Sequence, residues 1–436
     1  MRCGPILTLI VVFANAAEGA PNIGGRWLGA NGGPQGSKYI PLRLGHPTGA
    51  QYNAPVYGFG YGPGHSAALD DATAWTPNYG KLTRWNMSAA TNSTPLHSLN
   101  FPGQSQMGQL QLIPTCGGDA ATTKTLRGGN NGAAVYATLV GWQAYPTNPS
   151  PNMTLFGVFA GTERNVGNAS MAIRWALPLG NATSVLTTAG QCAVYVATCS
   201  LAGDCFLATV DVTTGTVLRN ATLPTPGGGA AATVEALSVS DDGRLLFVKS
   251  RFPATNQATI AALWAPTGAT LWRRTFAEQG TFQIALAYSH RTAALVTTLD
   301  DGQFYVLEAF TGVVRWSMPF STGDAAMSPA VDDGAVYLPI NQTTVTRLSI
   351  HDGSVLTRYG PGNYENDLLV FEDALVVMQS QAGSVQVQVN DKWTGHLLTT
   401  VPTPAGYWNK NLGFASGWLW AWSGAEGAAP VMIQFA

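Results

Sequence analysis

The stretch YVLEAFTGVVRW, from Tyr305 to Trp316, decides the fold. An alternating strand runs into Thr311-Gly312, turns, and re-enters a strand that ends in Trp316. Glycine supplies the positive φ that a tight turn of this kind needs. The stretch therefore predicts a two-stranded hairpin.

Related hairpins recur along the chain, and their turns are marked by Gly80, Gly167, Gly215, Gly268, Gly312, Gly353 and Gly395. The separations between successive turns are 87, 48, 53, 44, 41 and 42 residues. Two more strands in each period complete a four-stranded antiparallel blade. We interpret the first interval as one blade with long loops at 114–131 and 142–152.

The two ends of the repeat array complement each other. The 41 residues after Gly395 are one repeat without its outermost strand, and a matching strand lies near the other end at Lys81–Asn86. Pairing these ends closes a ring and removes the exposed sheet edges of an open array. The sequence predicts an all-β, seven-bladed β-propeller of four-stranded antiparallel blades, closed by residues 81–86.

The repeat resembles those of pyrroloquinoline-quinone-type, or quinoprotein-like, propellers, in which Ala-x-Asp-x-x-Thr-Gly-x-x-x-Trp occurs once per blade. The match covers residues 66–436 and is strongest at Glu308–Trp316. The resemblance implies the fold. Dehydrogenases of this family have two adjacent cysteines beside the quinone and a calcium held by Glu and Asn beside a catalytic Asp. This chain has no Cys-Cys pair.

The same family includes non-enzymatic scaffolds, such as a bacterial outer-membrane assembly lipoprotein. We therefore predict no cofactor, no catalytic residues and no metal ligands, and pyrroloquinoline quinone is not expected to bind. The six histidines never occur at metal-ligand spacing. The Asp-Asp-Gly motifs ending at Gly243, Gly302 and Gly334 are interpreted as hairpin turns, with calcium ligation or acid–base chemistry as the alternative.

The first residues have the pattern of a secretory signal peptide. Arg2 precedes the apolar segment Ile6–Ala14, and Ala14-Asn15-Ala16 is a small-x-small cleavage site. We predict a signal peptide at 1–16, an N-terminal extension at 17–65 and the propeller at 66–436. A buried N-terminal strand is the alternative.

Export to an oxidising compartment would allow disulfide bonds to form. Cys199 and Cys205 flank a turn between two apolar segments, so we predict that they pair, which leaves Cys116 to pair with Cys192. Four buried thiols are the alternative. Glycosylation sequons occur at Asn86, Asn92, Asn152, Asn168, Asn181, Asn220 and Asn341. Together these features predict a glycoprotein that is secreted or resides in the lumen of the secretory pathway.

Composition excludes some classes of partner. The net charge of −2 and the lack of a basic stripe give no reason to expect nucleic-acid binding. No later apolar segment is long enough to span a bilayer. We expect a protein or glycan partner.

The predicted ligand site lies at one mouth of the central channel, where the loops entering the first strands meet those joining the second and third strands. These loops carry aromatic residues and an arginine suited to stacking and anion contacts, namely Trp142, Tyr145, Arg251, Phe252, Tyr364, Tyr407 and Trp408. The leading hypothesis is a non-enzymatic binding or scaffolding propeller. A quinone- or metal-dependent oxidoreductase and a glycan-binding or glycan-processing protein are the alternatives.

Overall fold

The computed structural model describes residues 40, 43–44, 46–53, 68–69, 73–78, 80–86, 95–104, 106–114, 134–142, 150–162, 171–182, 184–189, 192–200, 202–223, 232–240, 242–277, 286–299, 302–320, 329–340, 343–360, 362, 364–381, 384–402, 409–415, 418–423 and 431–435. Nearly all of them lie in strands or in the turns between strands. In this described part, no helix is long and apolar enough to cross a membrane.

The strands follow one another as β1 (Pro47–Asn53), β2 (Ala68–Leu69), β3 (Thr73–Asn78), β4 (Lys81–Asn86), β5 (Pro95–Asn100), β6 (Gln106–Pro114), β7 (Ala134–Trp142), β8 (Ser150–Thr162), β9 (Ala172–Ala182), β10 (Ser184–Ala189), β11 (Ala193–Cys199), β12 (Cys205–Asp211), β13 (Val217–Thr222), β14 (Thr233–Val239), β15 (Leu245–Phe252) and β16 (Gln257–Trp264). The second half contains β17 (Ala269–Ala277), β18 (Ala287–Ser289), β19 (Ala294–Leu299), β20 (Gln303–Glu308), β21 (Val314–Pro319), β22 (Ala330–Val331), β23 (Ala335–Ile340), β24 (Thr344–Ser349), β25 (Val355–Tyr359), β26 (Tyr364–Val370), β27 (Ala374–Gln381), β28 (Ser384–Asp391), β29 (Leu397–Pro402), β30 (Asn409–Ala415), β31 (Trp418–Ser423) and β32 (Val431–Phe435). A 3₁₀ turn at Pro253–Thr255 joins β15 to β16.

These strands form eight four-stranded antiparallel sheets. Seven sheets consist of four consecutive strands, and we call them blade 1 (β2–β5), blade 2 (β6–β9), blade 3 (β10–β13), blade 4 (β14–β17), blade 5 (β18–β21), blade 6 (β22–β25) and blade 7 (β26–β29). Blade 8 has the order β30, β31, β32 and β1. The first strands of successive blades contact one another from β2 through β30, and β30 contacts β2. The ring is therefore closed.

The prediction of an all-β propeller with four-stranded antiparallel blades is confirmed, but the blade number of seven is wrong. Residues 81–86 do not pair with the C-terminal strands. They form the third strand of blade 1, between β3 and β5. The reason is the position of Gly80, which has φ +64° and turns the chain between the second and third strands of that blade. The fourth strand is β5, which the sequence analysis did not recognise.

Closure does come from pairing of the two ends of the chain, but through β1. Strand β1 pairs with β32 in antiparallel register, with Gln51 opposite Ile433. Before it joins blade 8, the chain is attached to blade 7, where the backbone N–H of Ile40 donates to the carbonyl of Val370 at 2.8 Å. Part of the predicted N-terminal extension therefore supplies an outermost strand of the ring.

Neighbouring blades are joined by a repeated hydrogen bond. The indole Nε1 of a tryptophan on the fourth strand donates to the carbonyl of the residue that follows the third strand of the next blade. Three joints follow this rule, with distances of 2.8, 2.7 and 3.0 Å, for Trp175 to Val212, Trp272 to Ala309 and Trp316 to Ile350. In two further joints other donors take the place of tryptophan, namely Arg219 to Ala265 at 3.2 Å and Tyr359 to Lys392 at 2.5 Å.

In three turns, at Gly215, Gly312 and Gly353, the glycine makes room for the tryptophan of the preceding blade. A Cβ atom at position 312 would lie 2.5 Å from the ring of Trp272, and the φ of Gly312 is +69°. Glycine is thus required there both for the backbone conformation and for the close approach of the ring. The apolar core lies in the spaces between blades, as in the cluster of Phe247, Leu295 and Leu307 between blades 4 and 5.

One predicted disulfide is confirmed. Cys199 and Cys205 are bonded and face each other across β11 and β12 in blade 3. Both are fully buried, in the apolar cluster between blades 3 and 4. Cys192 is half-buried just before β11, and Cys116 lies outside the described residues, so their pairing stays a prediction.

Candidate functional site

The predicted ligand-site residues that the structure describes lie at the same end of their blades. Trp142 ends β7 opposite Gln106, the first residue of β6. Arg251 lies near the end of β15, opposite Thr233 at the start of β14. Tyr364 begins β26. The first strands start and the second strands end at this edge of the sheets, so topology places Trp142, Arg251 and Tyr364 at one mouth.

The remaining members of the predicted set differ in their position. Phe252 is 5% exposed and packs with Val234 and Val248 in the cluster between blades 3 and 4, where its ring stabilises that interface. Tyr145, Tyr407 and Trp408 lie outside the described residues.

A buried charge cluster surrounds Arg251. Its Nε lies 3.9 Å from Oε1 of Glu235, while the Nζ of Lys249 lies 2.9 Å from Oε2 of the same carboxylate. The side chains are 14%, 5% and 0% exposed for Arg251, Glu235 and Lys249. A β-bulge between Val234 and Ala236 takes Glu235 out of the regular register, which re-aims its side chain.

Among the described residues, the ammonium of Lys249 and the guanidinium of Arg251 both lie within 4 Å of the Glu235 carboxylate. Lys249 is fully buried, and the Glu235 carboxylate supplies an opposite charge 2.9 Å from its ammonium. The Nε of Arg251 is buried and has no hydrogen-bond partner among the described residues. Chemically, this end of blade 4 suits an anionic group that approaches Arg251.

A second buried charge pair links blades 6 and 7. The Nζ of Lys392 lies 2.8 Å from Oδ2 of Asp332, and both side chains are almost inaccessible. The hydroxyl of Tyr337 donates to the same oxygen at 2.8 Å, and the backbone N–H groups of Gly334 and Ala335 donate to Oδ1. Burial alone would raise the pKa of Asp332, but the Lys392 ammonium and these donors hold the pKa below its ordinary value.

Both tyrosines of this network stay protonated at neutral pH. Burial and the neighbouring Asp332 carboxylate raise the pKa of Tyr337. Burial likewise raises the pKa of Tyr359, whose hydroxyl donates to the carbonyl of Lys392. The network therefore acts as a structural joint. Asp332 belongs to the third Asp-Asp-Gly motif, which the sequence analysis interpreted as a hairpin turn. Besides accepting the backbone N–H groups of that turn, Asp332 binds Lys392 of the next blade.

A calcium ion beside a bound quinone would require a particular set of oxygen ligands. A calcium ion needs carboxylate and carbonyl oxygens with net negative charge, whereas the buried carboxylates Glu235 and Asp332 are already neutralised by lysines. Across the described ranges, no group of three His, Cys, Asp or Glu side chains is arranged to hold a metal ion.

The repeat and the fold resemble those of propellers built from pyrroloquinoline-quinone-type repeats. A family profile described as outer membrane protein assembly factor BamB matches residues 256–398. No curated protein matches the sequence.

Solved structures with the same fold include BamB and two dehydrogenases. BamB from Moraxella catarrhalis superposes with a TM-score of 0.52 at 16% identity, over 84% of this chain and 95% of BamB. A europium-containing methanol dehydrogenase has a TM-score of 0.60 at 11% identity, over 94% of this chain and 97% of the enzyme. A quinohemoprotein alcohol dehydrogenase from Comamonas testosteroni has a TM-score of 0.60 at 10% identity, over 95% of this chain and 81% of the enzyme. At these identities the likeness is one of fold.

Proposed function

We propose that this chain is a secreted glycoprotein whose propeller acts as a non-enzymatic binding or scaffolding module. The observation that carries the proposal is the use of buried charge. Glu235 and Asp332 are each neutralised by a lysine inside the blade stack, at 2.9 and 2.8 Å. The Glu235–Lys249 pair lies within blade 4, whereas the Asp332–Lys392 pair joins blades 6 and 7. A buried joint between blades suits a rigid platform. The profile match described as an assembly factor supports the same proposal.

The ligand of the mouth is proposed to be a protein or glycan with an anionic group that contacts Arg251. Replacing Arg251 with Ala leaves Glu235 paired with Lys249, so the blade is expected to stay folded. Screening the wild-type protein on an array of neutral, sialylated and sulfated glycans tests the glycan class. Binding of an anionic glycan that is lost in Arg251→Ala would support a glycan ligand. Glycan binding that survives this substitution would refute the role of Arg251.

Catalysis is tested by incubating the purified protein with pyrroloquinoline quinone and calcium, followed by gel filtration and absorbance spectroscopy. We expect no stoichiometric chromophore to remain bound and no dye-linked oxidation of alcohols or sugars. A bound chromophore with such activity would replace this proposal with the oxidoreductase alternative, for which the fold likeness to two dehydrogenases is the supporting observation.

Export and glycosylation are tested on protein made in a eukaryotic host. Asn220 is exposed on the outermost strand of blade 3 and is accessible to a glycan. Mass spectrometry is expected to find an N-terminus processed near Ala16 and a glycan mass that decreases in Asn220→Gln. An unprocessed N-terminus without any glycan mass would contradict the proposed localisation.

A further inference from the structure

The joint between blades 7 and 8 is built differently from the joints before it. In blades 4 and 5 the indoles of Trp272 and Trp316, on the fourth strands, donate to the next blade, and we call this bond the tryptophan clamp. At the corresponding place after Gly395, blade 7 has Thr399, whose side chain has no ring to fill the joint. In blade 8 the third and fourth strands, β32 and β1, come from distant parts of the chain instead of from one hairpin. Among the described residues, this joint therefore lacks both the clamp and the hairpin turn that accepts it.

The strand pairing that closes blade 8 is short. Strand β1 begins with Pro47, which has no backbone N–H to donate. The register with β32 is interrupted between Pro47 and Gln51, so regular pairing runs only from Gln51 to Asn53. By comparison, β11 pairs with β12 without interruption from Ala193 to Cys199. Pairing of β1 with β32 is therefore a weaker connection than the pairing inside a blade.

Two residues that precede β1 fasten the chain to blade 7, and we call Ile40 and Leu44 the strap. The backbone N–H of Ile40 donates to the carbonyl of Val370 at 2.8 Å. The backbone N–H of Leu44 donates to Oδ1 of Asp373 at 2.9 Å. The strap residues are only 5% and 8% exposed, so burial of their apolar side chains adds to these bonds. The strap thus attaches the closing strand to the turn between the first and second strands of blade 7.

Asp373 is an exception to the repeat. Its carbonyl accepts the backbone N–H of Lys392 at 2.9 Å, and this bond identifies the corresponding residues of blades 3 to 6 as Cys192, Arg244, Ala293 and Gly334. Among these five blades, a carboxylate occurs at the position only in blade 7, which adjoins the joint without a clamp. Its side chain accepts the N–H of Leu44, so the departure from the repeat coincides with the attachment of the strap.

We propose that the strap is the latch of the ring. The joint between blades 7 and 8 is the place where the ring opens, and the hydrogen bond from Leu44 to Asp373 keeps it closed. Local opening starts where few bonds hold a segment, and when the latch is released β1 separates from β32 while the other joints keep their bonds. The open ring presents the edge of β32, which can pair with another strand. This inference does not rest on the scaffold proposal.

The test follows amide hydrogen exchange by mass spectrometry in the full-length protein. Asp373→Ala removes the acceptor of the Leu44 N–H, so peptides that cover β1 and β32 are expected to exchange about tenfold faster. Peptides that cover blades 4 and 5 are expected to exchange at the wild-type rate. Asp373→Asn keeps Oδ1 as an acceptor and is expected to preserve the slow exchange.

Asp242→Ala is the matched control. Asp242 lies in the equivalent turn of blade 4, where its carboxylate accepts the backbone N–H of Arg244 at 3.0 Å within the same turn. This change is expected to leave the exchange of β1 unaltered. If Asp373→Ala unfolds the protein, Ile40→Val tests the same latch by removing one buried methyl group, and a few-fold faster exchange confined to β1 and β32 is expected.

Four results would each overturn the proposal. They are unchanged exchange of β1 in Asp373→Ala, equal acceleration in all blades, acceleration in Asp373→Asn as large as in Asp373→Ala, and the same acceleration of β1 in Asp242→Ala. Equal acceleration in all blades would show that the strap contributes to global stability without being the point of opening.

Discussion

The ammonium of Lys392 in blade 7 lies 2.8 Å from the carboxylate of Asp332 in blade 6, and the pair is shielded from solvent. In blades 3 to 6 the residue at the position of Lys392 is apolar and buried, namely Val212, Ala265, Ala309 and Ile350. A buried charge at this place is tolerated because the preceding blade supplies the opposite charge.

Breaking this pair from either side is expected to destabilise the ring. Asp332→Asn leaves the Lys392 charge buried without its counter-ion, and Lys392→Leu leaves the Asp332 charge in the same state. Each change should lower the free energy of unfolding by about 3–5 kcal/mol, measured by urea denaturation.

The double variant D332N/K392L is expected to recover part of the loss. When both substitutions are present no charge of this pair remains buried, and the introduced leucine matches the apolar residues of the other repeats. The coupling between the two changes should be about 2 kcal/mol or more. Strict additivity would show that the two groups act independently.

Stability should depend on the ionisation of Asp332 at low pH. The folded-state pKa lies below the unfolded value of about 3.9, so the stabilisation is complete above that value and is lost as the pH falls through the folded pKa. Urea midpoints of the wild type are expected to fall with decreasing pH below about 4. Asp332→Asn should flatten this decrease, whereas substitution of the exposed Asp204 with Asn should not.

Comparison of three glycines, Gly334, Gly180 and Gly312, separates the effect of backbone strain from that of a steric clash. Gly334→Ala meets no atom within 4 Å and has no left-handed φ, so it should change stability by less than about 0.5 kcal/mol. Gly180→Ala meets no atom but has φ +71°, and should cost about 1–2 kcal/mol. Gly312→Ala adds the clash with Trp272 and should be the most destabilising of the three in thermal unfolding. A ranking in which Gly180→Ala equals Gly312→Ala would contradict the docking role of Trp272.

Reduction of the Cys199–Cys205 disulfide should destabilise blade 3. The Cys199–Cys205 disulfide closes a loop with a sequence separation of 6, and its loss should lower the free energy of unfolding by about 2 kcal/mol. The double variant C199A/C205A is expected to respond to reductant only through the predicted Cys116–Cys192 bond. Cys192→Ser in that background should abolish the remaining response. An unchanged effect of reductant in C199A/C205A would show that the bond in blade 3 contributes nothing.

The sequence was sufficient to predict those features that depend on interactions between residues close together in the chain. The hairpin around Gly312 is observed as Gln303–Glu308 and Val314–Pro319, close to the pattern in the sequence. The Cys199–Cys205 bond spans one turn and was predicted for that reason. A lysine at position 392 was a visible departure from the apolar repeat and could have indicated a buried ion pair.

The blade number and the closing strand were not predictable in this way. An alternating segment such as Lys81–Asn86 has the same pattern whether it is a third or a fourth strand, and only its hydrogen-bond partners β3 and β5 distinguish the two. The same limit applies to the charge cluster at Arg251, because the bulge that positions Glu235 depends on pairing with β15.

The sequence by itself determined the repeating four-stranded unit, its turns and one disulfide, since these depend on alternation, glycine conformation and short chain separations. Only the tertiary structure decided that there are eight blades, that β1 closes the ring and that Asp332 neutralises Lys392. Those features depend on contacts between segments far apart in the chain. Their partners are selected by packing and electrostatic complementarity in the folded ring.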